Sequence, residues 1–88
     1  MLNINEEKWI IVSKDREMIG KGIPRNRYLC RIDDKKDKKR ILTYASKGKA
    51  ESAFMDSWFY GSGKYKEEDM EAIKVNILIQ ECDENTGG

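Results

Sequence analysis

The chain has no histidine, a single proline and only two cysteines, and none of its apolar runs approaches the length of a membrane span. Without histidine it lacks the side chain best suited to proton transfer near neutral pH, and its serines sit in no nucleophile elbow. The glycines of Gly20-Lys21-Gly22 and Gly61-Ser62-Gly63 make neither a P-loop nor a dinucleotide fingerprint, since neither follows a strand and opens a helix in the required form. Cys30 and Cys82 lie far apart with no further ligands at metal-binding spacing, so no metal and no cofactor are expected. The start, Met1 to Lys8 (MLNINEEK), has no basic-then-apolar plan of a signal peptide. The expectation is a cytoplasmic protein with two reduced thiols and no enzymatic activity.

What is present is charge. Charged residues make up 38% of the 88 and apolar ones 39%, a composition that needs clear periodicity to argue for a folded core. The charges are unevenly placed. Residues 1–49 hold fourteen basic and seven acidic side chains, a balance of +7, and residues 50–88 hold three and nine, a balance of −6.

Periodicity then supplies the fold. Lys8 to Lys14 (KWIIVSK) is apolar on both faces, as in a strand covered on two sides. Met18 to Ile23 (MIGKGI) reads as a short return strand whose glycines weaken it or mark a bulge, ended by Pro24. Arg27 to Asp33 (RYLCRID) alternates, Asp34 to Lys39 makes a turn, and Arg40 to Ser46 (RILTYAS) reads as a further strand. The period changes next. Ala50, Ala53, Phe54, Ser57 and Trp58 are spaced as one helical stripe, with Ser46 as N-cap and Gly61 as the glycine after the end. Glu51 and Asp56 point outward on that register, and Glu67 to Met70 (EEDM) fits one helical turn. Ala72 to Glu81 closes with the clearest alternation, Ile73, Val75, Ile77 and Ile79 against Lys74, Asn76, Leu78 and Gln80.

The predicted class is α+β: an antiparallel sheet of about four strands with one helix on one face, in the order β-β-β-α-β. Residues 1–88 form a single domain with an ordered core from about 8 to 81 and a frayed tail at 83–88. In this arrangement Ile73, Val75, Ile77 and Ile79 pack beneath Phe54 and Trp58, at about 1.5–3 kcal/mol for each large side chain buried.

Two segments invite a functional reading. Gly22 to Arg40 carries eight basic side chains and three aspartates. Arg25, Arg27, Arg31 and Arg40, with Lys35, Lys36, Lys38 and Lys39, suit the phosphates of a nucleic acid, and Tyr28 offers a stacking face. The same residues serve as the wet face and tip of a β-hairpin, where Asp favours the turn and Lys guards the edge. The second segment holds Glu67, Glu68, Asp69 and Glu71, whose spacing fits no calcium loop. Beside it, Phe59, Tyr60 and Tyr65 gather at the helix end, either covering the edge of the core or presenting a protein-binding surface.

Gly22 to Arg27 (GIPRNR), Ile41 to Phe54 (ILTYASKGKAESAF) and Glu67 to Glu81 (EEDMEAIKVNILIQE) resemble small proteins carried by phages and other mobile elements of Gram-positive bacteria. The element order, with Ser52-Ala53-Phe54 in the helix, is also similar to that of some small anti-CRISPR proteins. The resemblance implies a non-catalytic inhibitor that binds a host defence nuclease such as Cas9, or its nucleoprotein complex. Glu67, Glu68, Asp69, Glu71, Asp83 and Glu84 would then present a phosphate-like row to a basic groove, with Tyr60 and Tyr65 alongside. A net acidic balance is confined to the second half here, unlike the strongly acidic inhibitors that mimic DNA. The other reading is a small nucleic-acid-binding domain built on the basic 25–40 region.

Overall fold

The computed structural model describes residues 2–23, 26–33 and 40–82, with Ile23, Asn26 and Arg27 as backbone only. Strand β1 (Asn3–Ser13) is followed by β2 (Met18–Ile23) and β3 (Asn26–Arg31). Helix α1 (Lys47–Met55), a short helix α2 (Trp58–Gly61) and a 3-10 turn (Glu67–Asp69) lead into the last strand, β4 (Met70–Gln80). The sheet is antiparallel, in the order β3-β2-β1-β4. The expected α+β class and β-β-β-α-β order are those of the molecule.

β1 begins at Asn3, five residues before the expected start, because β4 pairs with it along eleven residues from Asn3↔Gln80 to Ser13↔Met70. β1 and β2 share only Val12↔Ile19 before they part. Residues 40–44 fill the opening between them. Trp9 and Tyr44 exchange backbone bonds at 2.9 and 2.8 Å, while Leu42 donates to Gly20 and Gly22 donates to Arg40. The expected strand from Arg40 to Ser46 is therefore two isolated bridges, one to each diverging strand. Gly22 has φ 123°, a conformation L side chains rarely adopt, so glycine is required at this bridge.

The β1–β2 turn is held by side chains. Ser13 Oγ donates to Asp15 Oδ1 at 2.6 Å and accepts from Met18 N at 3.0 Å, while Glu17 N donates to Asp15 Oδ1 at 3.0 Å. Those bonds favour the charged carboxylate, the Ser13 hydroxyl first and the Glu17 amide second, and hold Asp15 below its ordinary value of 3.8. Arg16 sits left-handed at φ 65° within this turn.

Ser46 caps α1 as expected, its Oγ accepting from Lys49 N at 3.2 Å. The helix does not run on to Gly61. The Ser57 hydroxyl donates to the Phe54 carbonyl, and Ser57 itself is extended. The break rotates Trp58 off the stripe and leaves it 65% exposed, correcting its expected place in the core.

Directly opposed residues of an antiparallel pair share a face. Ile11↔Ala72 and Ser13↔Met70 put the even side of β4 beneath α1. Ile11, Ala50, Phe54 and Met70 form that core, with Trp9, Leu29, Tyr44, Tyr65 and Ala72 around it. Ala50 is wholly enclosed and marks the close approach of helix to sheet. Ile73 and Val75 lie on the other side of the sheet, against Ile10, Val12 and Ile19. The expected packing of Ile73, Val75, Ile77 and Ile79 under Phe54 is thus reversed: β4 turns its small and flexible residues to the helix. Ile10, Ile11 and Val12 are all buried, so β1 is covered on both faces there, as its sequence predicts.

A glutamate-rimmed cleft beside the edge strand

The acidic residues picked out in the sequence do not form one row. Asp69 folds back onto its own turn and accepts the Lys66 amide at 2.9 Å, while Lys14 N donates to the Asp69 carbonyl at 3.1 Å. Glu71 is opposite Val12 in the register, on the face away from α1, and its Oε1 meets Arg16 Nη2 at 2.6 Å. Glu68 and Glu67 share a shallow depression with Lys14 and Lys66, where the lysines partly offset both charges. Asp83 and Glu84 lie outside the described residues.

Glu67 also borders a cleft of about 50 Å³ between α1 and β4, and Glu51 borders the same cleft from the helix. Ile11, Phe54 and Met70 supply buried apolar wall, Met55 and Ala72 add to it, and Glu71 contributes along the strand. Glu51 and Met55 are one helical turn apart, so the helix presents a carboxylate and a thioether side by side. Neither Glu51 nor Glu67 forms an ion pair among the described residues; the two pairs there are Arg16–Glu71 and Lys74–Glu7. Sequence reasoning did not bring Glu51 to the site. The signal was present: it flanks Ala50 and Phe54 on a helix whose stripe must face the sheet.

Such a cleft can accept a long cationic side chain. The methylene stem of Arg or Lys lies on apolar wall while the charged end stays at the polar rim. Guanidinium suits this better than ammonium, since its planar fork can serve two carboxylates.

The tyrosines belong largely to the scaffold. Tyr60 meets Phe54 edge-on, ring centroids 5.5 Å apart. Tyr65 is half-buried, 5.9 Å from Phe59, and its hydroxyl donates to Met18 Sδ at 3.2 Å. Trp58 is the most exposed aromatic of the group, its ring edge-on to Phe59 at 5.3 Å, and Tyr60 is exposed to a lesser degree.

No family model, no curated protein and no solved structure matches this chain.

The basic candidates are only partly in view. Arg25, Lys35, Lys36, Lys38 and Lys39 lie outside the described residues, and Arg27 is given as backbone in β3. Arg31 and Arg40 are exposed. Arg31 shares a surface depression with Arg16 and Ile32, but Glu17 and Asp33 line it too, so it is no continuous cationic track. Cys30 is buried, Cys82 is exposed, and neither is in a disulfide among the described residues. Among the described residues, no helix is long and apolar enough to cross a membrane, and no three His, Cys, Asp or Glu are grouped to hold a metal ion.

Proposed function

We propose that this protein is a non-catalytic binding module for a basic protein surface, taking an arginine or lysine of its partner into the Glu51–Glu67 cleft. The observation that carries this reading is the pairing of two carboxylates without ion-pair partners among the described residues with an apolar wall in one opening. Exposed Trp58, on the short helix that follows α1, is the type of aromatic that anchors protein interfaces. Grooves that hold nucleic acid are lined with Arg and Lys, and a protein lodged in one excludes the nucleic acid. The resemblance to small anti-CRISPR proteins points to the same target class, a host defence nuclease such as Cas9, and to a phage or mobile element as the source.

The test is DNA cleavage by a Cas9–guide RNA complex in the presence of the wild-type protein or the Glu51→Lys/Glu67→Lys variant. Wild type is expected to block cleavage. Loss of charge-assisted bonds at about 1.5–3 kcal/mol each, with tenfold per 1.4 kcal/mol, predicts at least about a tenfold weaker block by the variant. Full inhibition by the charge-reversed protein would remove the cleft from the mechanism. Cleavage unaffected by the wild type would remove this nuclease as target.

A further inference from the structure

We infer that β4 is a self-pairing edge, through which two copies of the chain join antiparallel about a twofold axis centred on Val75. The argument begins with backbone valence. In an antiparallel pair, alternate residues direct their N–H and C=O toward the partner and away from it. Glu81 N donates to Leu2 O, and Trp9, opposite Lys74, spends both backbone groups on Tyr44. These two observations fix the phase: Lys74, Asn76, Leu78 and Gln80 aim their backbone groups away from β1. No neighbour takes them up among the described residues, and β4 is the last strand of its sheet.

Edge strands are normally guarded by proline, bulges, brevity or outward charge. β4 has no proline, bulge or shortness along eleven residues paired without interruption. Its two charged side chains are both drawn to other partners, Lys74 Nζ to Glu7 at 2.9 Å and Glu71 to Arg16. The other exposed stretch of β1, from Asn3 to Lys8, is shorter and carries Glu6, Glu7 and Lys8.

The sequence of β4 suits a second copy of itself. With Val75 on the axis the strand overlaps its mate along its whole length. Ile73 then faces Ile77 of the other copy, Ala72 faces Leu78, Lys74 faces Asn76 and Glu71 faces Ile79. No like charges are opposed, and the aliphatic residues on the face away from α1 continue across the axis. Such a twofold interface is isologous and closes at two copies, so the outcome is a dimer rather than a fibre.

The test is the mass of the full chain by light scattering and sedimentation, with two variants. Wild type is expected at twice the 10.3 kDa of one chain at high micromolar concentration. Asn76→Pro removes an outward N–H and leaves the β1 bonds intact, so it should give a folded monomer. Val75→Cys in a Cys82→Ser background should oxidise to a covalent dimer. A non-hydrogen-bonded pair on the axis brings the two Cα atoms to about 4.5 Å, within disulfide reach. That arm stands even if the proline variant fails to fold. A wild type that stays monomeric, or a dimer that survives in folded Asn76→Pro, overturns the interface. Crosslinking through Ile77→Cys in place of Val75→Cys overturns the register. None of these outcomes depends on the cleft.

Discussion

Phe54 and Met70 should be energetically coupled, whereas Phe54 and Ile73 should not. Phe54 and Met70 belong to the core beneath α1, while Ile73 packs on the opposite side of the sheet. Met70→Ala should cost about 2–5 kcal/mol for lost transfer energy and the cavity left behind. Phe54→Leu, a loss of roughly two buried methylenes, should cost about 1.6 kcal/mol, and Ile73→Ala, at a half-buried site, on the order of 1–2 kcal/mol. A chain of 88 residues has roughly 4–13 kcal/mol to lose, at about 0.05–0.15 kcal/mol per residue, so the milder phenylalanine substitution keeps the double variants measurable. Urea unfolding of the single and double variants gives two cycles. The Phe54/Met70 cycle should show an interaction energy of about 0.5–3 kcal/mol, and the Phe54/Ile73 pair should add to within about 0.5 kcal/mol. Coupling of Phe54 to Ile73 with additivity toward Met70 would refute the face assignment, and with it the cleft.

Two further outcomes follow from the same geometry. Trp58→Ala should lower stability by less than about 1 kcal/mol, because the indole is largely in water and loses mainly its edge contact with Phe59. A loss near 3 kcal/mol in thermal or urea unfolding would return Trp58 to the core. Asp15→Asn tests the β1–β2 turn through pH. The native carboxyl titrates below its ordinary 3.8, so its stabilisation is present above that value and is lost as pH falls through the lower native value. The advantage of wild type over Asp15→Asn in urea midpoint should therefore be constant near neutrality and shrink only in acid. An advantage that shrinks well above 3.8 would contradict the Ser13–Asp15–Glu17 bonding.

The element order and the helix cap were legible because they rest on local rules. Ser46 precedes an apolar stripe of period 3.6, and Ala72 to Glu81 alternates with period 2. The helix break was less visible. Ser57 occupies a stripe position, and its hydroxyl competes for the Phe54 carbonyl only once the chain turns there. The acidic cluster was legible as composition and misleading as a site. Neighbours in sequence diverge in space when one carboxylate caps a turn, one pairs with Arg16 and one borders a cleft.

The sequence by itself determined which segments become strands and helices, and that β4 has one aliphatic face and one mixed face, because both follow from backbone periodicity. Tertiary structure alone decided which face α1 covers. Alternation is symmetric under exchange of the two sides of a sheet; only the eleven-residue register with β1, which sets Ile11 beside Ala72 and Ser13 beside Met70, breaks that symmetry. The same register joins Glu51 to Glu67 across sixteen residues of sequence, a proximity that no local pattern encodes.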